Sequence, residues 1–246
     1  MISATIITLN EEKNIKRALK SLEGLGQEIV LVDCGSTDKT ISLAKEFKAK
    51  IFFREFDNFA NQKNWAASKV KGDWILSIDA DEEIPKELAE EIKKAVKVNK
   101  YDGYLIPRRN LILGKEIKHS RWNPDQHIWL WKKKSGIWKG EVHEEVEVNG
   151  AIGKLNNCKI HYSHETVSEI IKSNNFYSTL LAASLFKEKV KFSLFKMFWK
   201  AFFEFNVRFI YKKGFLDGWR GFVLAYLMAV YQLMVFIKLW ELEQKK

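Results

Sequence analysis

Cysteine and proline are scarce: the 246 residues hold 2 Cys and 3 Pro. Two thiols, Cys34 and Cys158, cannot build a disulfide framework, so a reducing compartment is the expectation. Low-complexity tracts are missing, and 46% hydrophobic with 29% charged residues excludes a disordered chain. No Gly-x-Gly-x-x-Gly follows the first strand-like run, and no Gly-Lys-Ser/Thr loop occurs. Dinucleotide-binding and P-loop readings lose their main support on that count. With no Cys-x-x-Cys and no His pair at i, i+4, structural zinc has no support either. The opening Met1-Ile2-Ser3-Ala4-Thr5-Ile6-Ile7 lacks the basic-then-apolar layout of a signal peptide, so export is not expected.

What the chain has in excess is positive charge. Lys and Arg number 41 against 31 Asp and Glu, a formal net of +10. Such a balance suits an anionic partner: nucleic acid, a membrane surface or a phosphorylated substrate. The excess is uneven. Residues 1–160 carry 28 basic and 24 acidic side chains, residues 161–246 carry 13 and 7. Of the 17 Phe, 12 lie from Phe176 onward, and no Pro follows Pro124. The chain therefore divides into a nearly balanced first part, 1–164, and a basic, aromatic, helical second part, 165–246.

The first part alternates strands with helices. Ser3–Leu9, Ile29–Val32, Lys50–Phe53 and Trp74–Ile78 are short β-branched or apolar runs. Helical patterns fill Glu11–Leu22, Thr37–Phe47 and Asn61–Val70, and Pro85 opens another with Glu87, Glu90 and Glu91 near its positive end. This alternation predicts a parallel, doubly wound α/β sheet. Ligands of such sheets bind beyond the carboxyl ends of the strands. Those ends read Thr8-Leu9-Asn10-Glu11-Glu12, Asp33-Cys34-Gly35-Ser36-Thr37-Asp38 and Asp79-Ala80-Asp81-Glu82-Glu83. Carboxylates at i and i+2 past a buried strand can converge on Mg²⁺ or Mn²⁺, which take few carboxylates plus substrate phosphate oxygens. Asp-x-Asp alone is more often a solvated turn; three polar strand ends together favour a site.

These three stretches, with Asn61-Gln62-Lys63-Asn64 between them, resemble the family 2 glycosyltransferases in order and spacing. Pro107-Arg108-Arg109-Asn110, Pro124-Asp125, Gly140-Glu141-Val142-His143-Glu144 and Lys213-Gly214-Phe215-Leu216-Asp217-Gly218 are similar to the subgroup containing lipopolysaccharide core β-glucosyltransferases. The resemblance implies a GT-A, Rossmann-like domain that binds a UDP-sugar, with UDP-glucose first among candidates. By it, Asp33 hydrogen-bonds the uracil, and Thr8, Asn10 and Glu11 line the nucleotide pocket. Asp79 stands near the ribose and the metal, and Asp81 coordinates Mg²⁺ or Mn²⁺ bridged to the diphosphate. Lys63 is a cation near the nucleotide, Arg108 or Arg109 reaches a phosphate, and His161 is a possible third metal ligand. Inverting transfer needs a base for the acceptor hydroxyl. Glu144 is the choice, with Glu145 as runner-up, Asp125 as a further candidate and His143 as a residue to orient the carboxylate. The subgroup's Arg-Leu-Phe strand is Trp129-Leu130-Trp131 here, so one expected arginine is missing. A metal-dependent nucleotidyltransferase is the alternative of another class, and it lacks its glycine-rich loop.

The second part supplies a partner. Lys187–Lys213 holds eight basic residues against Glu188 and Glu204, interleaved with Phe195, Phe198, Phe202, Phe205 and Phe209. A basic, aromatic amphipathic helix of this kind can lie in an anionic bilayer interface. Gly221–Ile237 follows, with Gln232 its one strongly polar residue. As a helix it is about 25 Å long, short of the roughly 30 Å hydrocarbon core. The expectation is a membrane-associating helical extension, peripheral or monotopic, on the cytoplasmic face of an inner membrane. It presents the enzyme to a glycolipid acceptor such as the lipopolysaccharide inner core or another polyprenyl-linked glycan. Nucleic acid is not expected, because no familiar nucleic-acid-binding motif occurs.

Overall fold

The strand-like runs do form a sheet. In the computed structural model, which describes residues 1–25, 28–140 and 144–245, β1 (Ile2–Thr8) and β2 (Glu28–Asp33) pair in parallel with β3 (Lys50–Phe53) and β4 (Trp74–Ser77) flanking them. Every residue of β4 is buried, and β1 is buried at all positions but Ile7, as expected of parallel strands covered on both faces. Helices α1 (Ile15–Ser21), α2 (Thr40–Glu46), α3 (Phe59–Lys69) and α4 (Lys86–Val98) occupy the connections. Pro85 sits at the cap of α4 and Glu87 in its first turn, as the sequence requires.

Beyond β4 the sheet turns antiparallel, which the alternation did not predict. β8 (Gln126–Lys132) pairs antiparallel with both β4 and β6 (Gly103–Ile112), giving the order β3-β2-β1-β4-β8-β6. The two-residue β5 (Glu82–Glu83) pairs with β12 (Lys159–Tyr162), and a hairpin of β9 (Gly136–Lys139) and β10 (Glu145–Val148) forms a sheet of its own. β7 (Lys115–Glu116) pairs with the end of β6, and β11 (Ile152–Lys154) with its start.

Glu28 fastens this first body. Its carboxylate accepts from Ser3 Oγ at 2.7 Å and from the Lys71 amide at 2.6 Å, and it pairs with Lys50. Burial works against the charge, but Lys50 and the two other donors outweigh it and hold Glu28 at a pKa of about 2.

The chain forms two compact units, and their division is not the expected one at residue 164. One contains residues 1–108 and 126–161, the other residues 109–125 and 162–246. Segment 109–125 thus belongs with the C-terminal helices. In that second unit α5 (Val167–Lys187) opens on a capping box, Thr166 with Glu169. α6 (Leu194–Asn206) continues into a π-helical turn, Val207–Tyr211, and α7 (Trp219–Gln244) follows a 3₁₀ turn, Gly214–Asp217. α7 has 26 residues, not 17, and is about 39 Å long. Among the described residues it is the one helix long and apolar enough to cross a membrane. Yet it packs inside its own unit: Leu224 and Leu227 meet Ile112, Ile117 and Ile170, while Phe236 and Leu239 meet Ala182 and Met197.

The motif Lys213–Gly218 is the corner between α6 and α7. A Cβ on Gly221 would stand 1.8 Å from the Gly214 carbonyl oxygen, and one on Gly214 would stand 2.5 Å from the Arg208 carbonyl oxygen. The Asp217 carboxylate accepts from the Lys118 and His119 amides at 3.1 and 2.9 Å. Glu204, buried on α6, is neutralised by Arg208 and by Arg121 at 2.9 Å.

Candidate active site

The site lies in the first unit and grows from the ends of β1, β2 and β4. Past β1, Asn10 takes a left-handed backbone, φ 56°, and its side-chain oxygen accepts from the Thr37 amide at 2.8 Å. The Glu11 amide donates to Thr40 Oγ1 and the Glu12 amide to Asp38, so the two polar strand ends are tied to each other. Thr8 Oγ1 is buried and has no hydrogen-bond partner among the described residues. Asp33, at the end of β2, turns its carboxylate onto its own loop, accepting from the Gly35 and Ser36 amides at 2.9 Å each. Glu11 is pushed up to about 6 by burial and by the charges of Asp81, Asp38 and Asp79, against a hydrogen bond from Asn14.

The centre of the arrangement is Lys63. The Asn58 side chain accepts from the Asn61 amide and starts α3, whose inward residues include Gln62, Lys63 and Ala66. The Lys63 side chain is only 6% exposed, and its Nζ lies 3.1 Å from Asp79 Oδ1 and 2.9 Å from Glu144 Oε1. Burial disfavours the ammonium, but Asp79 and Glu144 outweigh it and raise its pKa above the ordinary lysine value. It also lies 4.6 Å from the centre of the Trp138 ring. Asn64 Nδ2 donates to the Trp138 carbonyl and Asn64 Oδ1 accepts from the Trp138 amide, both at 2.9 Å, which fixes the hairpin that leads into Glu144. Expected base and donor-side carboxylate thus stand at opposite ends of one ammonium.

Asp79 and Asp81 part ways. The burial of Asp79 would raise its pKa, but Lys63, Lys159 and Arg108 hold the carboxyl well below the usual range. Asp81 instead faces His161, Oδ2 to Nε2 at 3.1 Å, a pairing set by the register of His161 opposite Glu82 between β12 and β5. Burial lowers the imidazole pKa, and Asp81 more than reverses that, raising it. Among the described residues no three His, Cys, Asp or Glu side chains gather to hold a metal. One carboxylate and one imidazole nitrogen at this separation do suit a hard or borderline cation that takes its other ligands from substrate phosphate and water. The residues present fit Mg²⁺ or Mn²⁺ on those terms.

Under this layer lies an ion cluster that sequence reasoning missed. Glu82 accepts from the Asp79 amide at 2.9 Å, pairs with Lys159, and receives Arg108 Nη1 at 3.2 Å. Glu82 and Lys159 are fully buried. Burial takes the lead in lowering the Lys159 pKa to about 8, with Glu82 and Asp79 opposing. Trp129 carries three cations around its ring: Lys159 at 3.1 Å, Lys63 at 5.4 Å and Arg108 at 5.7 Å. The position where an arginine was expected is thus the hub on which other cations rest.

The remaining candidates separate. Glu145 is 73% exposed, with His127 Nδ1 3.7 Å away. Asp125 accepts from Asn110 Nδ2 at 2.8 Å in the second unit, where Arg109 pairs with Glu116. Glu141 and His143 lie outside the described residues.

Known proteins are similar to this chain in sequence or in fold. The pattern of glycosyl transferase family 2 matches residues 3–154. An uncharacterized glycosyltransferase of Rickettsia typhi is 33% identical over 99% of this chain and 88% of its own length. The lipopolysaccharide core biosynthesis glycosyltransferase LpsC of Rhizobium meliloti is 28% identical over 98% of this chain and 92% of its own. Among solved structures, S. aureus TarS 1–349 in complex with UDP-GlcNAc aligns at TM-score 0.52 and 14% identity, covering 100% of this chain and 92% of that one. Glucosyl-3-phosphoglycerate synthase from Mycobacterium tuberculosis, in complex with Mn²⁺, UDP and phosphoglyceric acid, aligns at 0.51 and 18%, covering 75% and 77%.

Proposed function

Because the chain belongs to glycosyl transferase family 2 and has the GT-A fold, we propose that it moves a sugar, glucose first among candidates, from a UDP-sugar to a membrane-associated glycolipid with inversion at the anomeric carbon. Glu144 takes the proton of the acceptor hydroxyl, the hydroxyl oxygen bonds to the anomeric carbon, and the bond from that carbon to the UDP oxygen breaks. The Lys63 bridge between Glu144 and Asp79 carries this reading, because it couples the base to the donor side of the site. Asp81 and His161 would hold the divalent cation, which when bound would stabilise the departing diphosphate as a Lewis acid. Asp33, Asn10, Glu11 and the unpartnered hydroxyl of Thr8 line the nucleoside end. Arg108, with Lys159 behind it, keeps the diphosphate end positive.

The likeness to LpsC supports a lipopolysaccharide-type acceptor and a membrane-proximal place. Glu144→Gln is the test. It keeps an acceptor for Lys63, so UDP binding should persist within about twofold while transfer falls by 10²-fold or more, the scale of a lost general base. Normal transfer by Glu144→Gln would move the role to Glu145.

A further inference from the structure

α6 displays an outward face that no part of its own unit covers. Phe195, Phe198, Trp199, Phe202, Tyr211 and Trp219 are each more than half exposed. Ring contacts group the aromatics in two runs: Phe195 on Trp199 and Trp199 on Phe202 along α6, and Phe205 on Phe222 and Phe222 on Tyr226 from α6 to the start of α7. Six aromatic side chains at such exposure offer on the order of 600 Å² of ring surface. That matches the largest apolar patch a soluble monomer ordinarily shows, and such patches mark interaction sites.

The charges on this face have one sign. Between Lys189 and Tyr226 the acidic residues are Glu204 and Asp217, and both are buried, one under two arginines and one under two backbone amides. The exposed charges around the rings include Lys196, Lys200, Lys212 and Lys213. Lys196, Lys200, Glu204, Arg208 and Lys212 recur every four residues, yet Glu204 and Arg208 turn inward while the lysines stay out. Aromatic rings beside ammonium groups, with both carboxylates of residues 189–226 withdrawn, complement an anionic bilayer interface.

We infer that this face seats in the headgroup region of an anionic membrane, with α7 lying beside the bilayer and not across it. The inward stripe of α7, Leu224, Leu227, Tyr231, Val235 and Leu239, is already buried in its own unit. Lys238, in its second half, donates to Asn175, Ser178 and Thr179 of α5. A spanning α7 would either give up this packing or draw those polar α5 residues into hydrocarbon, where unsatisfied polar groups are costly.

The inference rests on the membrane-proximal part of the proposed function and not on the transfer chemistry, so its test reads binding alone. The full chain is sedimented with vesicles of phosphatidylcholine, or of phosphatidylcholine with an equal share of phosphatidylglycerol, at rising salt. Binding should require phosphatidylglycerol and weaken with salt. Each lysine lost should cost about fivefold, so Lys196→Glu/Lys200→Glu should bind at least tenfold more weakly. Phe198→Ser/Phe202→Ser should lose at least tenfold too, with helical circular dichroism and UDP affinity unchanged in both. Equal binding to neutral vesicles, or none to anionic ones, overturns the inference. A lipid-free dimer that Phe198→Ser/Phe202→Ser dissolves, without vesicle binding, overturns it in favour of a second copy. A nitroxide at Met234 found at the bilayer midplane overturns it in favour of a span.

Discussion

Replacing Lys63 by Met removes one positive charge from between two carboxylates. The side chains of Asp79 and Glu144 are 29% and 16% exposed, so both are partly shielded from water and neither can turn fully into it. Removing one partner of a buried pair costs about 3–5 kcal/mol. The residual exposure of Asp79 argues for the lower end, about 3 kcal/mol, which lowers the melting temperature by about 6–12 °C for a chain of this size. The pH dependence has a definite sign. The Lys63 pKa is raised, so its contribution is whole below the ordinary 10.5 and is lost as pH climbs past the folded value. The Asp79 pKa is depressed, so its contribution is whole above the ordinary 3.8 and is lost as pH falls below that. The gap between the wild-type chain and Lys63→Met should therefore stay flat from about pH 5 to 10 and narrow progressively as pH falls below the ordinary carboxylate range. Thermal melts followed by circular dichroism across that range measure it. Lys63→Met/Asp79→Asn should recover part of the loss, because the stranded charge is gone. A Lys63→Met protein that melts with the wild type, or a double variant whose losses add, would refute the clamp.

Three further perturbations bear on the rest of the fold. Glu28→Gln should lose about 2 kcal/mol at neutral pH, an amount reduced for the exposure of Lys50; because the Glu28 pKa is lowered from 4.5 to about 2, the deficit in chemical denaturation should shrink below pH 4. Asn64→Ala strands the Trp138 amide and carbonyl at a cost of about 2 kcal/mol; it should depress transfer while UDP affinity, read by calorimetry, holds. Gly221→Ala forces a methyl against the Gly214 carbonyl and should cost the second unit about 3 kcal/mol, with proteolysis between α6 and α7 as the readout. Wild-type resistance in that variant would mean the corner is not close-packed.

Legibility followed burial. The four parallel strands were readable almost to the residue: β1, β2 and β4 are buried apolar runs with few alternatives, and β3, exposed at both ends, was read from its short apolar run. α1 and α2 start later than their patterns suggest, at Ile15 and Thr40, because Glu11, Glu12 and Asp38 spend their backbone and side chains tying two loops together. The antiparallel strands after β4 carried no local signal of their partners. Lys63 was expected as a cation near the nucleotide; its buried bridge needs two carboxylates, at 79 and 144, that only the fold gathers. Glu82 and Lys159 were missed for the same reason, being 77 residues apart. One signal was there to find: the two-residue period of β12 puts Lys159 and His161 on one face, and both meet acids of the Asp79–Glu83 turn. α7 was taken as shorter because Lys238 and Glu241 broke the apolar run, although Lys238 hydrogen-bonds to α5 and Glu241 pairs with Lys245.

The way α7 is used has a practical side. Its inward stripe completes the second unit, while Trp219, Phe222 and Tyr226 on the same helix stay outside. The proposed membrane face and the core of the unit thus share one element, and no cut separates them. Trimming the C-terminus to gain solubility would bare Ile112, Ile117, Ile170 and Met197 and trade a sticky surface for an open core. A soluble form is better made side chain by side chain, with serine or glutamate at the outward ring positions and the helix left whole.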